Sequence, residues 1–290
     1  MSTEPTILVT GAAGQLGQLV LRALLDTIPA ARIYAMVRSE RAAASVAALG
    51  VHVRIGDYTQ AHSLDAAFAG IERALLISSN QLGQRAAQHA NVIAAAKRAG
   101  VGLLAYTSLL HADTSPLGLA EEHRQSEAAL RASGVPFVVL RNGWYTENYT
   151  AAIPAALAHK ALLGSAGAGR ISSAARADYA AAAAAVLTAG EAQAGRIYEL
   201  AGDRSYTLTQ FAAELSAQTR QSIGYNDLPE SEFEAALLAA GLPEPVAALL
   251  ADSDACAARG ALFDDKGELS ALIGRPTTPF DKTMAAALAA

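Results

Sequence analysis

The chain has 290 residues, of which 52% are hydrophobic and 6% aromatic, and its formal net charge is −5. This composition excludes a largely disordered chain, and the length suits one large α/β domain, or one such domain with a smaller lobe. The basic residues are scattered, which excludes an electrostatic footprint for nucleic acid. The single cysteine, Cys256, excludes an internal disulfide and a cysteine-rich metal site, so we expect no metal.

No targeting or membrane segment is predicted. Residues 1–5 lack the basic and apolar regions of a signal peptide. The alanine-rich run at 180–187 is flanked by Asp178 and Glu191, which indicates a buried helix rather than a bilayer span. We therefore expect a cytoplasmic protein.

The first apolar segment predicts a strand, a tight turn and a helix. Residues 7–10 are apolar or β-branched, and apolar residues recur at helical spacing after the glycines. Gly11 would allow the sharp exit from the strand, Gly14 would admit a pyrophosphate close to the backbone, and Gly17 would let the helix pack closely on the sheet. The spacing differs from the G-x-G-x-x-G fingerprint, but the position after the first strand favours dinucleotide binding over a turn that serves packing alone.

The second predicted strand, at 32–37, ends at Arg38. Folds that prefer NAD place an acidic residue near this point to bind the ribose 2′-hydroxyl. Arginine instead suits a 2′-phosphate, because its guanidinium group is forked and permanently charged. Arg38 therefore favours NADP, with Ser39 and Arg41 as assisting residues, and the alternative is an ordinary exposed arginine at a helix start.

Further strands alternate with helices along the chain. Strands are predicted at 51–55, 74–79, 101–108 and 135–140, and helices at 62–69, 84–98 and 119–133. Asp57 follows the third strand, where it would accept a hydrogen bond from adenine or cap the next turn. Ser78 and Ser79 end the fourth strand, near the middle of a bound cofactor.

This alternation predicts an α/β fold with a doubly wound parallel sheet, the Rossmann fold that binds NAD(P). We assign residues 1–149 to this core and 150–290 to a smaller substrate lobe, with a strand near 196–203 returning to the sheet. Helices are predicted in the lobe at 151–159, 207–218, 230–240 and 244–255. The glycine-rich segment Gly164–Gly169 is interpreted as a turn, because no strand is predicted before it.

A loop is predicted at 141–149, beside the ends of the same strands. It carries Trp144, Tyr145, Asn148 and Tyr149. These aromatic and amide groups would either line an apolar pocket with a few hydrogen bonds or pack within the loop.

A common catalytic acid is missing. Short-chain dehydrogenases usually carry Tyr-x-x-x-Lys after the fifth strand, whereas this chain has Tyr106 to Leu110 there and no lysine. A reduced quinone leaves as a phenolate-type oxygen with a pKa of about 10, so a weak donor suffices. The sequence therefore favours electron-poor conjugated acceptors, for which positioning of the reactants supplies much of the acceleration.

The sequence resembles the atypical short-chain dehydrogenases of the NmrA-like group, and within it the quinone and dye reductases. The resemblance runs nearly from end to end. Its matching segments are Thr10–Gly17, Tyr106–Gly118, Leu140–Tyr145 with Glu147–Tyr149, Arg176–Tyr179 and Leu272–Thr278. The second and third segments are the most specific. One departure is Ala13, where many members have threonine.

The resemblance implies NADPH as hydride donor and quinones as acceptors. It implies that the phosphates lie on Gly11, Ala12, Ala13, Gly14, Gln15 and Leu16, with the 2′-phosphate at Arg38. It implies a nicotinamide site near Ile77, Ser78, Ser79, Trp144, Tyr145, Thr146, Glu147, Asn148 and Tyr149, with Arg176 nearby. Tyr145 and Asn148 are the candidate catalytic residues of this segment.

His123 is a third candidate catalytic residue. The isoflavone-reductase relatives carry a lysine in the helix after the fifth strand, and alignment from Gly134 puts His123 at that place. A histidine there would contact the ribose or donate a proton near neutral pH. The alternative is a surface histidine that is hydrogen-bonded to Glu127 one turn further on.

The sequence allows two functions of different kinds. The first is an enzyme that reduces quinones by two electrons, with a cationic dye or another conjugated compound as alternative acceptor. The second is an NADP-binding, redox-sensing regulator without turnover. The sequence shows no charged tail or exposed apolar helix that would suit a regulator's partner, so the enzyme is favoured. A homodimer is compatible with either function.

Overall fold

The computed structural model describes residues 4–290. Its strands are β1 (Ile7–Val9), β2 (Ile33–Val37), β3 (His52–Ile55), β4 (Arg73–Leu76), β5 (Leu103–Leu109), β6 (Phe137–Asn142), β7 (Ala161–Gly164), β8 (Ile197–Leu200) and β9 (Gly224–Asp227). Its helices are α1 (Gln15–Leu25), α2 (Glu40–Ala47), α3 (Ala61–Phe68), α4 (Arg85–Ala99), α5 (Ala120–Ser133), α6 (Thr146–Thr150), α7 (Ile153–His159), α8 (Arg176–Ala189), α9 (Leu208–Thr219), α10 (Glu230–Ala239), α11 (Glu244–Ala258), α12 (Glu268–Ile273) and α13 (Phe280–Ala289).

Seven strands form one sheet in the order β3-β2-β1-β4-β5-β6-β8. The chain builds outward from β1 in one direction and then, from β4, in the other, so a switch point lies between β1 and β4. Both neighbours of β1 are parallel to it, with Leu8 opposite Tyr34 and Ala74. Ligands of open α/β sheets bind outside the carboxyl ends of the strands at such a point. The predicted doubly wound Rossmann fold is confirmed.

The chain divides into two compact units. The first comprises residues up to Ala112 together with Glu121–Asn142 and Arg176–Tyr198. The second comprises Asp113–Ala120, Gly143–Ala175 and Glu199–Ala290. The sequence prediction has a single boundary after residue 149, whereas each unit of the structure contains residues from both sides of it. The strand predicted near 196–203 is β8, which joins the seven-stranded sheet beside β6.

The first unit is built on a sheet whose strands are almost entirely apolar. Every residue of β1 and of β5 is buried, as expected for parallel strands that are covered on both faces. Leu8 and Met36 pack with Leu64 and Phe68 of α3 and with Val92 of α4. This layer of side chains holds β1 and β2 against α3 and α4.

The second unit has its own small sheet and aromatic core. β7 is parallel to β9, with Leu162 opposite Tyr225. The ring of Tyr206 lies 4.2 Å from that of Phe280 and 5.8 Å from that of Phe211.

Two predictions about this unit are wrong. Residues 141–149 are not a loop throughout, because Thr146–Thr150 form α6. A strand does precede the glycine-rich segment, since Ala161–Gly164 form β7 and Gly164 is its last residue. A four-residue strand whose partner lies about sixty residues later carries no local periodicity by which it can be recognised.

Within residues 4–290, none of the helices combines the length and the apolar character that a bilayer crossing requires.

Gly17 sets how closely α1 approaches the preceding turn. A Cβ atom at this position would lie 2.5 Å from the Gly11 carbonyl oxygen and 2.7 Å from the Ala12 Cα atom. We expect Gly17→Ala to lower the free energy of unfolding by about 1–3 kcal/mol, because both obstacles are backbone atoms that cannot move aside freely. Urea unfolding measures this change. Gly102→Ala is the matched control, since its Cβ would meet nothing closer than 3.4 Å, and equal losses in the two variants would contradict the argument.

Candidate functional site

A cavity of ≈ 710 Å³ opens in the first unit at the ends of the central strands. Many of the predicted cofactor residues line it, namely Gly11, Ala13, Gly14, Arg38, Asp57, Ile77, Ser78 and Ser79. They come from the segments that follow β1, β2, β3 and β4. The cavity therefore occupies the place where the strand order predicts a ligand.

The glycine turn presents the start of α1 to this cavity. Gly11 has φ +58°, a left-handed conformation that glycine adopts without strain. The N-cap of α1 is Gly14, which offers no side-chain hydrogen bond, and the first turn of the helix carries no acidic residue. The first amides of a helix have no acceptor within it, so this end suits an anion such as a pyrophosphate. These residues fit the phosphates of a dinucleotide.

The segment after β2 adds positive charge to the same cavity. Arg38 is exposed and lines the cavity. Ser39 is the N-cap of α2, and its hydroxyl accepts a hydrogen bond of 3.3 Å from the Ala42 amide. No acidic residue is present at the place where NAD-preferring folds have one, and the guanidinium group suits a 2′-phosphate.

Asp57 caps the turn that follows β3, which is one of the two roles predicted for it, the other being a hydrogen bond with adenine. Its Oδ1 atom accepts hydrogen bonds of 2.8 Å from both the amide and the hydroxyl of Thr59. These bonds hold the pKa of Asp57 below its usual value, and the charge of Arg38 contributes to the same effect. Asp57 also lines the cavity, so its contact with adenine stays a prediction.

The wall segment Ile77–Ser79 is held by side chains rather than by a neighbouring strand. The amide of Ile77 donates to Thr10 Oγ1 at 3.1 Å, and the amide of Ser78 donates to Thr107 Oγ1 at 2.8 Å. The Tyr58 hydroxyl donates to the Ile77 carbonyl oxygen at 2.9 Å and also bonds to the Thr10 hydroxyl. The three bonds to backbone atoms satisfy groups beyond the end of β4 that would otherwise have no partner there.

Two side chains of α4 fix the last residue of this wall. His89 Nε2 accepts the Ser79 amide at 2.9 Å, and Arg85 Nε donates to the Ser79 carbonyl oxygen at 2.5 Å. Because Nε2 accepts, the proton of His89 lies on Nδ1, which donates to Ser126 Oγ at 2.7 Å. The Ser126 hydroxyl in turn donates to the Glu122 carbonyl oxygen. Burial, together with the charge of Arg85, lowers the pKa of His89 to about 3, so the imidazole is neutral.

Sequence reasoning missed this support. Tyr58, Arg85 and His89 contact the wall, yet none was predicted as a functional residue. For Arg85 and His89 the one sequence signal is a polar residue on the face of α4 that the structure buries, together with Gln88. Apolar periodicity alone does not identify which backbone groups such residues satisfy.

His123 is buried beside this network. Its Nδ1 atom shares a hydrogen bond of 2.7 Å with the Tyr106 hydroxyl, while Glu127 bonds to Ser108 and Arg141. The surface alternative for His123 is therefore wrong. Burial, with smaller effects of Arg85 and His89, lowers the pKa of His123 to about 3.

The low pKa bears on the predicted chemistry of His123. Because burial lowers the pKa of His123 to about 3, the imidazole is neutral near pH 7. Its role as a proton donor stays a prediction. The residues that line the 710 Å³ cavity do not include His123. Its contact with the ribose stays a prediction.

A second cavity, of ≈ 180 Å³, lies within the second unit. Trp144, Asn148 and Tyr149 line it, as the pocket interpretation predicted, whereas Tyr145 does not. Thr146 is buried and its hydroxyl bonds to that of Ser173 at 2.8 Å. Thus the predicted site residues divide between two cavities, each within one unit.

Two further groups of predicted residues line neither cavity. Ala12, Gln15 and Leu16 belong to the glycine turn and the start of α1. Arg176 begins α8 in the first unit, and Glu147 lies in α6. Their predicted contacts with a cofactor stay predictions.

The sheet order, the glycine turn and the cavity at the switch point define an α/β protein of the dinucleotide-binding Rossmann class. The chain belongs to the NmrA-like family, whose family model matches residues 3–286. The resemblance that the sequence motifs indicated is confirmed.

One curated sequence and two solved structures match this chain over nearly their whole lengths. Quinone oxidoreductase 2 of Escherichia coli (strain K12) is 55% identical over 272 residues, which cover 94% of this chain and 95% of that protein. A crystal structure of NADPH-dependent quinone oxidoreductase from Escherichia coli, complexed with NADPH, matches with a TM-score of 0.94 at 53% identity, over 97% of this chain and 99% of that one. The triphenylmethane reductase of Citrobacter sp. matches with a TM-score of 0.93 at 36% identity, over 98% of this chain and 100% of that one.

The two buried histidines make stability depend on pH. In the unfolded chain a histidine has a pKa near 6.5, whereas His89 and His123 have pKa values of about 3 in the fold. Their neutral forms therefore stabilise the fold fully above pH ~6.5, and this contribution is lost as the pH falls towards 3. We expect the titration of each histidine to lower the free energy of unfolding by about 2 kcal/mol between pH 7 and pH 5.

Urea unfolding of the wild type and of His123→Gln at these two pH values tests this. The loss on acidification is expected to be smaller in the variant, because one titrating group is gone. His62→Gln is the matched control, since His62 is exposed. If His123→Gln loses as much stability between pH 7 and pH 5 as the wild type does, His123 does not contribute to the pH dependence.

Proposed function

We propose that this chain is an NADPH-dependent oxidoreductase that reduces quinones to hydroquinones by two electrons. The observation that carries the proposal is the 55% identity to a quinone oxidoreductase over 94% of the chain. The cavity with its glycine turn and Arg38 supports it, because these groups suit the phosphates of NADPH. Bound NADPH supplies a hydride, and the quinone takes up this hydride and one proton to give the hydroquinone and NADP⁺.

The residues of the chain act mainly by binding and orienting. In this proposal the start of α1 binds the pyrophosphate, and Arg38 binds the 2′-phosphate. The wall segment Ile77–Ser79 orients the nicotinamide half, because its backbone is fixed by five hydrogen bonds from side chains. Preorganisation of this kind lowers the entropic cost of bringing two reactants together.

We retain Trp144–Tyr149 and Arg176 as proposed contacts of the cofactor or substrate, with Tyr145 and Asn148 as the candidate catalytic residues. The chain lacks the Tyr-x-x-x-Lys pair, and His123, whose pKa burial lowers to about 3, is kept as the third candidate, in contact with the ribose. A cytoplasmic location and a homodimer also stay proposals.

A turnover assay tests the function. The protein is mixed with NADPH and a panel of one-ring and two-ring quinones, and the loss of absorbance of NADPH is followed. Turnover with at least one quinone is expected, and no loss of NADPH above that of the protein-free control with any member would overturn the proposal. A bound but unconsumed cofactor would instead favour the redox-sensing regulator.

A second class of acceptor has specific support. The similarity to triphenylmethane reductase, at 36% identity over 98% of the chain, favours cationic triphenylmethane dyes. The central carbon of such a dye accepts a hydride without a proton, so the missing acid is no obstacle. Decolourisation of a dye by the protein and NADPH measures this activity.

Arg38 is expected to determine the preference between the two coenzymes. Arg38→Ala removes the charge that we assign to the 2′-phosphate, and charge-assisted hydrogen bonds contribute about 1.5–3 kcal/mol. The KM for NADPH should therefore rise roughly tenfold to a hundredfold, while that for NADH changes little. Arg22→Ala, at an exposed position of α1, is the control. Equal increases for both coenzymes would refute the assignment.

A further inference from the structure

A series of hydrogen bonds runs from α5 through α4 to the wall segment. The Ser126 hydroxyl donates to the Glu122 carbonyl oxygen at 2.7 Å, and Ser126 Oγ lies 2.7 Å from His89 Nδ1. On the other side of the imidazole ring, His89 Nε2 accepts the Ser79 amide at 2.9 Å. His89 and Ser126 are both buried, so solvent does not compete for these groups.

The direction of these bonds requires one form of the imidazole. A backbone N–H group can only donate, so Nε2 must be unprotonated in order to accept from Ser79. A neutral imidazole then carries its proton on Nδ1, and Ser126 Oγ must accept it. The other tautomer and the imidazolium would both turn an N–H group towards the Ser79 amide. Ser126 therefore determines which tautomer of His89 is present.

The other groups around His89 keep its ring neutral. The ring of Tyr106 lies 5.3 Å from the imidazole and that of Tyr58 lies 6.4 Å from it, both edge-on. Burial lowers the pKa of His89 to about 3, and the positive charge of Arg85 on the same helix contributes. Glu122 Oε1 accepts the backbone amide of Arg85 at 3.0 Å. These surroundings favour the neutral ring that the bond to the wall requires.

Ser79 is the point at which the series reaches the cavity. It lines the cavity of ≈ 710 Å³, whereas His89 and Ser126 are not among the lining residues. Ser79 Oγ accepts the Gln81 amide at 3.1 Å, and Gln81 also lines the cavity. The position of Ser79 therefore influences that of the residue two further along the chain.

We propose that His89 and Ser126 are positioning residues, which hold Ser79 where it orients the nicotinamide half of NADPH. The inference rests on the proposed function for the identity of the ligand. Both residues act through the backbone of Ser79, since neither lines the cavity. Their contribution is to the geometry of the reactants, and a misplacement of about 1 Å lowers a rate by about a hundredfold.

Two substitutions of His89 separate its two hydrogen bonds. In His89→Gln the side-chain amide reaches the place of Nε2 and can accept from Ser79. In His89→Asn it reaches only the place of Nδ1, beside Ser126. With NADPH and a quinone that the wild type reduces, we expect kcat to be about tenfold to a hundredfold lower in His89→Asn than in His89→Gln. The KM for NADPH should differ by less than about threefold, because the phosphate contacts remain.

The tautomer is measured separately, by ¹⁵N NMR of the imidazole nitrogens near pH 7 without NADPH. The signals of His89 are those that are absent from His89→Gln. We expect a protonated Nδ1 and an unprotonated Nε2 in the wild type. In Ser126→Ala, where Nδ1–H has lost its acceptor, this single form should be lost and kcat should fall about tenfold.

Ala90→Asn is the matched control, because it introduces the same side chain at an exposed position next to His89. Its kcat should stay within about twofold of the wild type, since exposed substitutions away from special features have small effects. Circular dichroism measures the folded fraction of each variant, and kcat is expressed per folded protein.

The proposal is overturned if His89→Asn, per folded protein, turns over as fast as His89→Gln. It is also overturned if NMR places the proton of the wild-type His89 on Nε2, a result that does not depend on the folding of any variant that lacks the bond. Turnover by the wild type with equal kcat in the two His89 variants would reject this inference and leave the proposed function intact. Absence of wild-type turnover with every quinone would reject the function itself.

Discussion

The contact between Gly17 and the turn before it is the constraint on which the cofactor cavity depends. Without a side chain at this position, α1 lies against the backbone of Gly11 and Ala12. Its first amides therefore follow the carboxyl end of β1, at the switch point between β1 and β4. A larger residue would move the helix axis away, and both the anion-binding end and the covering of the sheet would be displaced together.

The opposite wall uses a different kind of support. Beyond Leu76 the chain has left the sheet ladder, yet the backbone of Ile77–Ser79 remains fixed because Thr10, Thr107 and His89 accept its amides. Buried polar side chains of this sort are costly unless each is satisfied. Burial disfavours the charged form of His89 and so lowers its pKa. In its neutral form the side chain orders the backbone at the surface of the cavity.

The parts of the fold that sequence reasoning predicted are those with local signals. The strand, turn and helix around Gly11 follow from apolar runs and glycine spacing, and the parallel sheet follows from their alternation. β7 and β9 were missed because their pairing joins distant residues with no periodicity of their own. The environment of His123 was missed for a related reason, since a helix position does not reveal that Tyr106 lies opposite. Arg38 and Asp57 were placed correctly at the cavity because strand ends can be predicted.

The direction of the amide N–H groups of Ile77–Ser79 has an electrostatic consequence. Since these N–H groups point to Thr10, Thr107 and His89, this side of the cavity offers no row of backbone dipoles to an anion. Among the groups that line the cavity, the start of α1 and Arg38 supply the positive charge instead. An elongated ligand with one anionic half and one neutral half thus has a single favourable orientation along the cavity, which the backbone imposes before any contact with the ring is made.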